Sequence, residues 1–337
     1  MKAGRQAVAA LTRAVLTGAA AAGAARLAYA GLRRYPPGGE KTWSRTNHRG
    51  EPVTLLEGPA AAIGAVAAAC VLSSSERARL TRSAPLPLVI AGTGAAAFGV
   101  YDDLAGSGKR RGLRGHLGAL AHGEITTGAV KLLGIALTGF ASALPISPGG
   151  RPPGDPPLGG TARPPKPSWP PGRDTAGDVF INAGLIAGSA NLLNLFDLRP
   201  GRAIKVTLAA GVLLAAGGAG GGGESGGPFG KTGLVAAPLG AAVALLPADL
   251  GGRAMLGDGG ANALGAMLGV AAAATLSRRA RLGVLGGIVA LTVASEKISF
   301  TKVIEATPPL RWLDMLGRRP PAPPAPPAAD AAQSARP

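Results

Sequence analysis

Stretches of roughly 20 mainly apolar residues, the length a helix needs to cross a bilayer, recur along this chain. Nine can be drawn: 8–31, 54–73, 86–104, 126–146, 177–197, 203–221, 231–249, 260–277 and 281–299. Lipid offers the backbone no hydrogen-bond partner, so segments of this kind must close their amide bonds internally. The expected fold class is therefore all-α, a polytopic transmembrane helix bundle of about nine spans. Composition agrees: 16% of the 337 residues are charged, against about 25% in a soluble domain. The 54 glycines suit lipid-embedded helices, which associate through small residues. The sixth run ends in Gly217 to Gly223, which reads as loop. Arg13 and Arg26 interrupt the first run, which lacks the compact basic–apolar–small order of a cleaved signal, so it is expected to remain as a span.

The transmembrane domain is expected to cover residues 1–318, with a Pro-rich external loop at 147–177 and a disordered tail at 319–337. The net charge of +17 would suggest nucleic acid on a soluble protein. Here the Arg and Lys residues lie largely between apolar runs, where they anchor helix ends and meet anionic headgroups, so nucleic acid is not expected as a partner. Segments 32–52 and 105–125 hold Arg33, Arg34, Lys41, Arg45, Arg49, Lys109, Arg110, Arg111 and Arg114, which argues for a cytoplasmic placement, whereas Arg77, Arg79 and Arg82 then fall outside. The single cysteine, Cys70, excludes a disulfide framework. No inverted repeat or mid-span charge pair points to a transporter.

Three acidic motifs punctuate the runs. Tyr101-Asp102-Asp103 closes the third, Asn191-Leu-Leu-Asn194-Leu-Phe-Asp197 closes the fifth, and Gly257-Asp258-Gly259-Gly260 opens the eighth. Two runs separate each motif from the next, so all three are expected on one membrane face. Carboxylates at a membrane boundary are costly unless a cation meets them. They suit Mg²⁺, which prefers oxygen ligands shared with substrate phosphates, or a general base. Each motif also has a plainer reading: an acidic helix end balanced by the basic loop at 109–114, interhelical hydrogen bonding by the two asparagines, and an Asp N-cap among turn glycines. The segment from Glu296 to Arg311 reads as a head-group-recognising patch or as an interfacial amphipathic stretch, with Ile298, Val303, Ile304, Leu310 and Trp312 as its apolar side.

Taken together, the order and spacing of these motifs resemble the polyprenyl-phosphate N-acetylhexosamine-1-phosphate transferases, the glycosyltransferase family 4 that includes phospho-MurNAc-pentapeptide translocase. Asn47-His-Arg-Gly-Glu-Pro-Val53 is similar to that family's early cytoplasmic motif, and Lys131-Leu-Leu-Gly134 to the Lys-bearing start of a following helix; the resemblance runs from about residue 45 to 275. It implies that a polyprenyl phosphate attacks the β-phosphate of a UDP-sugar, releasing UMP and leaving a lipid-linked precursor for cell-wall (peptidoglycan) biogenesis. It further implies Mg²⁺ as cofactor with Asp258 as its ligand, Asp102, Asp103 and Asp197 as catalytic residues, and Asn194, Lys131 and Arg49 as substrate-binding residues. Expected partners are the polyprenyl phosphate, the UDP-sugar, membrane lipids and a second copy of the chain in a homodimer, at the plasma membrane with the active face cytoplasmic. The chain departs from the family in three places. Asp197 is followed by Leu198-Arg199-Pro200-Gly201, without a second acid; Glu57-Gly58 stands for a Gly-Gly pair; and the C-terminal His-rich loop has no counterpart, since the histidines are His48, His116 and His122. These departures leave open a non-catalytic relative acting as a binding or scaffold protein in cell-wall assembly.

Overall fold

The computed structural model describes residues 2–47, 49–73, 85–106, 115, 118–119, 122–146, 174–217 and 230–319. The basic cluster at 109–114, Arg77, Arg79, Arg82, His48 and His116 lie outside these residues, as does nearly all of the Pro-rich loop, whose last positions open a helix at Asp174. The tail beyond Arg319 also lies outside them.

The described chain is helical throughout, apart from one small hairpin. In order it forms α1 (Lys2–Arg34), α2 (Glu40–Trp43), β1 (Ser44–Thr46), β2 (Pro52–Thr54), α3 (Glu57–Ser73), α4 (Pro85–Ala105), α5 (Thr127–Ala143), α6 (Asp174–Phe196), α7 (Arg202–Gly217), α8 (Gly230–Leu250), α9 (Gly257–Thr275), α10 (Arg278–Ser295), α11 (Phe300–Ala306) and α12 (Pro308–Met315). Local chemistry sets several starts. Thr126 and Ser277 sit in extended backbone before α5 and α10, and their hydroxyls accept from Ala129 N at 3.1 Å and Ala280 N at 3.3 Å, satisfying N–H groups that have no partner inside the helix. β1 and β2 pair antiparallel with Arg45 opposite Val53.

Helix α9 is the axis of the bundle. From Gly257 to Ala273 every residue except Asp258 is buried, and α9 packs against α3, α4, α6 and α8. Small residues make that possible. A Cβ on Gly99 would lie 2.3 Å from Asp258 O, and one on Gly58 would lie 2.1 Å from Leu256 O, so α4 and α3 meet the start of α9 backbone to backbone.

Five helices are long and apolar enough to cross a membrane among the described residues: Val8–Arg34, Leu86–Ala105, Thr127–Ile146, Ala176–Phe196 and Gly233–Leu250. A sixth is added if Arg278–Ser295 and Phe300–Ala306, which meet at a 96° bend, count as one broken span. An all-α membrane bundle thus stands, but the expected nine crossings do not follow. The apolar part of α3, Glu57–Val71, is short, and α7 has 16 residues. The hydropathy of α9 is diluted by Asp258, Asn262 and its glycines. A helix enclosed by other helices meets little lipid, so its composition need not match that of a lipid-facing span.

One end of the bundle gathers the C-terminal ends of α1, α4, α6, α8 and α10 with the N-terminal ends of α3, α5, α7 and α9. Trp43, Leu55 and Leu56 cluster there with Tyr29 and Leu32, and Phe196 stacks on Phe300 at 5.1 Å.

Candidate active site

The acidic motifs meet at this end. Asp102 and Asp103 occupy the last turn of α4, Lys131 the second turn of α5, and Asp258 the first turn of α9. The Lys131 ammonium lies 2.7 Å from Asp102 Oδ2 and also donates to Asp258 Oδ2. Asp103 takes a different position: its Oδ1 accepts from Asp258 N at 3.0 Å and its Oδ2 from Gly259 N at 2.9 Å. It therefore caps α9 from a neighbouring helix, where unpaired N–H groups and the helix dipole favour a carboxylate. The Arg45 guanidinium, from β1, donates to the Asp103 carbonyl. Gly257 has φ +59°, and a Cβ there would sit 2.8 Å from Asp103 Oδ2, so the turn into α9 requires glycine.

Asp197 follows α6. Its N–H donates to Asn194 O at 3.0 Å, the backbone of Gly257 donates to its carboxylate, and its Oδ2 is buried without a partner. Asp249, Asp258 and Asp103 are its acidic neighbours. Asn194 is half-buried in the same turn. The structure thus brings Asp102, Asp103, Lys131 and Asp258 into direct contact, with Asp197 and Asn194 alongside. Arg49 sits elsewhere, in the hairpin turn, where it donates to Arg319 O at 2.9 Å.

Two acids were not singled out from the sequence as site residues. Glu57, the first residue of α3, is 0% exposed with neither carboxylate oxygen hydrogen-bonded, and Asp249, in the last turn of α8, is 1% exposed with Oδ2 unpartnered. Both Asp249 and Asp197 act electrostatically on Glu57. The signal was a carboxylate standing at the edge of an apolar run, a costly placement that marks function by default.

Two adjoining cavities lie at this end, and one of them opens on the acidic group. One of about 220 Å³ is lined by Asp197 and Asp249 with Thr46, Asn47 and Met255. The other, about 290 Å³, is lined by Arg49, Arg199, Arg318 and Arg319 with Glu51 and Glu305. Asn47, Arg199, Pro200 and Gly252 belong to both walls. In the second cavity Arg319 reaches both oxygens of Glu51 at 3.2 Å. A hydrogen bond from Asn47, assisted by the charges of Arg319 and Arg49 against a small burial cost, holds the Glu51 carboxyl below its ordinary range.

The donor chemistry at this end fits a hard cation. Every candidate ligand is an oxygen, and Asp197 Oδ2 has an unused acceptor position. Among the described residues no three His, Cys, Asp or Glu side chains are close enough to form an all-protein cage. Mg²⁺ commonly takes only one or two carboxylates and completes its shell with water and substrate phosphates. No protein-family model and no curated protein matches the chain.

Proposed function

We propose that the chain is a Mg²⁺-dependent phosphoglycosyl transferase, a divergent relative of the polyprenyl-phosphate N-acetylhexosamine-1-phosphate transferases, which moves a sugar-1-phosphate from a UDP-sugar to a polyprenyl phosphate. The observation that carries this reading is the convergence of Asp102, Asp103 and Asp258, from distant segments, around Lys131 at one end of a membrane bundle. That end is the cytoplasmic one in this reading, because Arg33, Arg34, Arg45 and Arg49 lie at it.

Phosphoryl transfer needs alignment and charge neutralisation more than covalent help. Asp258 and Asp197 would hold the cation, which would supply charge neutralisation for the donor diphosphate. Asp103 fixes the direction of the α9 N-terminus and with it Asp258. Asp102 orients the attacking lipid phosphate and accepts a proton from it when it arrives protonated. Lys131 moves from its carboxylate partners to the transferring phosphate, and Asn194 contacts the nucleotide. Arg49, with its neighbours in the basic cavity, holds the outgoing UMP phosphate. The product is a lipid-linked diphosphosugar for envelope assembly.

The pairing of Lys131 with both Asp102 and Asp258 favours a second reading, in which Lys131 stands in place of a bound cation in a non-catalytic binding or scaffold protein. Purified protein supplied with Mg²⁺, undecaprenyl phosphate and a panel of UDP-sugars separates the two. Release of UMP, abolished by Asp258→Ala, supports the transferase. Release that survives this substitution refutes the site, and silence with every donor, together with retained binding of undecaprenyl phosphate, supports the scaffold.

A further inference from the structure

After Ser295 the chain bends by 96° and continues as α11 and α12 across the end of the bundle. One face of this strap is tied down. Arg202, at the start of α7, donates to Asp314 Oδ1 at 2.8 Å, Asp314 Oδ2 at 3.0 Å and Thr301 Oγ1 at 2.9 Å. Lys205 donates to the Leu313 and Asp314 carbonyls at 2.9 and 2.7 Å, and Arg318 to Pro200 O at 2.7 Å.

The other face is bare and apolar. Ile298, Val303, Leu310, Leu313 and Leu316 are exposed, and Trp312 is 65% exposed. Lys297, Lys302 and Arg311 are exposed among them, whereas Asp314 and Glu305 turn toward Arg202 and Arg199. Leu282, Val289 and Val293 of α10 are exposed as well, so an apolar outer surface runs along α10 and around the bend onto the strap. An apolar face carrying a tryptophan and rimmed by cations matches the boundary between headgroups and acyl chains, and the cations match anionic lipid.

We propose that residues 298–316 form an in-plane anchor seated in the headgroup layer of an anionic leaflet, which holds the carboxylate end of the bundle at the depth of lipid phosphates. This rests on the bundle being a membrane protein and is independent of whether it transfers sugar phosphates.

The test uses the full chain reconstituted in phosphatidylcholine vesicles with and without phosphatidylglycerol. Spin labels are placed at Trp312→Cys and, separately, Leu313→Cys, each on a Cys70→Ser background, and their collisions with oxygen and with a water-soluble nickel chelate are compared. The expected depth is about 5–10 Å below the headgroup surface, deeper with phosphatidylglycerol present. Full access to the nickel chelate overturns the anchor, as does a label at the bilayer centre. Strong dipolar coupling between labels on two copies also overturns it, by showing that a second chain covers this face. Lys302→Glu with Arg311→Glu is expected to leave the depth in phosphatidylcholine unchanged while removing the phosphatidylglycerol-dependent deepening. If that deepening persists, or never occurs in the wild type, the anionic preference is refuted.

Discussion

Two charged groups lie at the same end of this bundle. Around Asp314, guanidiniums from Arg202 and Arg318 meet one carboxylate, with Nε–Oδ1 at 2.8 Å and NH2–Oδ1 at 2.6 Å. Around Lys131 the balance is reversed: a single ammonium meets Asp102 and Asp258, and Glu57, Asp197 and Asp249 keep unpartnered oxygens close by. The first group satisfies itself and ties the strap to α7. Among the described residues the second holds more acid than base. Unpaired buried charge is among the costliest features a fold can keep, and in the proposed reading a cation supplied from outside meets the surplus. Charge balance, rather than burial or conspicuousness in the sequence, distinguishes the strap carboxylate from those assigned to the candidate site.

The largest effect that would break this contrast belongs to the balanced group. Asp314→Ala strands Arg202, which is 3% exposed, and should cost about 3–5 kcal/mol, measured as loss of thermal stability in detergent; a loss below about 1 kcal/mol would show that the knot is not structural. Next comes Lys131→Met, which leaves Asp102 and Asp258 without their ammonium. It should cost about 2–3 kcal/mol in chelator, and Mg²⁺ should restore about 2.7 kcal/mol once it exceeds its Kd a hundredfold. Absence of any Mg²⁺ stabilisation, in the variant and in the wild type alike, would mean that the acids bind no cation. Glu57→Gln should be neutral or stabilising by about 1 kcal/mol in chelator, since it replaces a buried carboxyl whose oxygens have no partner; a clear loss would show that this carboxyl is already compensated.

The smallest effect is on pH. Burial raises the Asp314 carboxyl, but the Arg202 hydrogen bond and the charges of Arg202, Arg318 and Lys205 outweigh it and hold it below its ordinary value. A depressed folded-state pKa gives stability that is complete above the unfolded value of about 3.9 and fades as pH falls through the folded one. The protection factors of α12 amides, exchange rates normalised to the intrinsic rate at each pH, should therefore be unchanged from neutral pH down to about 4 and fall below that; a fall already at pH 5–6 would assign the docking to another group.

The apolar runs located the main helices well: 86–104 became Pro85–Ala105 and 231–249 became Gly230–Leu250. The nine apolar runs exceed the five or six helices long and apolar enough to cross among the described residues, because polar residues and glycines dilute α9 and α7 is short. The convergence of Asp102, Asp103 and Asp258 followed from counting runs between motifs, because alternation of direction survives even when individual helices are short. Lys131 was singled out through the resemblance of Lys131-Leu-Leu-Gly134 to a family motif. Glu57 was noted only as a departure from a Gly-Gly pair and Asp249 was not noted, since the proximity of α3 to α8 depends on packing that no local pattern encodes. Arg49 lies in the turn between β1 and β2, where Asn47 meets Gly252 and Arg319 meets Glu51.

Asp102 and Asp103 are neighbours in the chain but mechanically unlike. Both oxygens of Asp103 are committed to the amides at the head of α9, and Gly99, one turn earlier, touches the same backbone. The end of α4 and the head of α9 are thus joined directly, so the placement of Asp258 depends on where α4 ends as well as on its own helix.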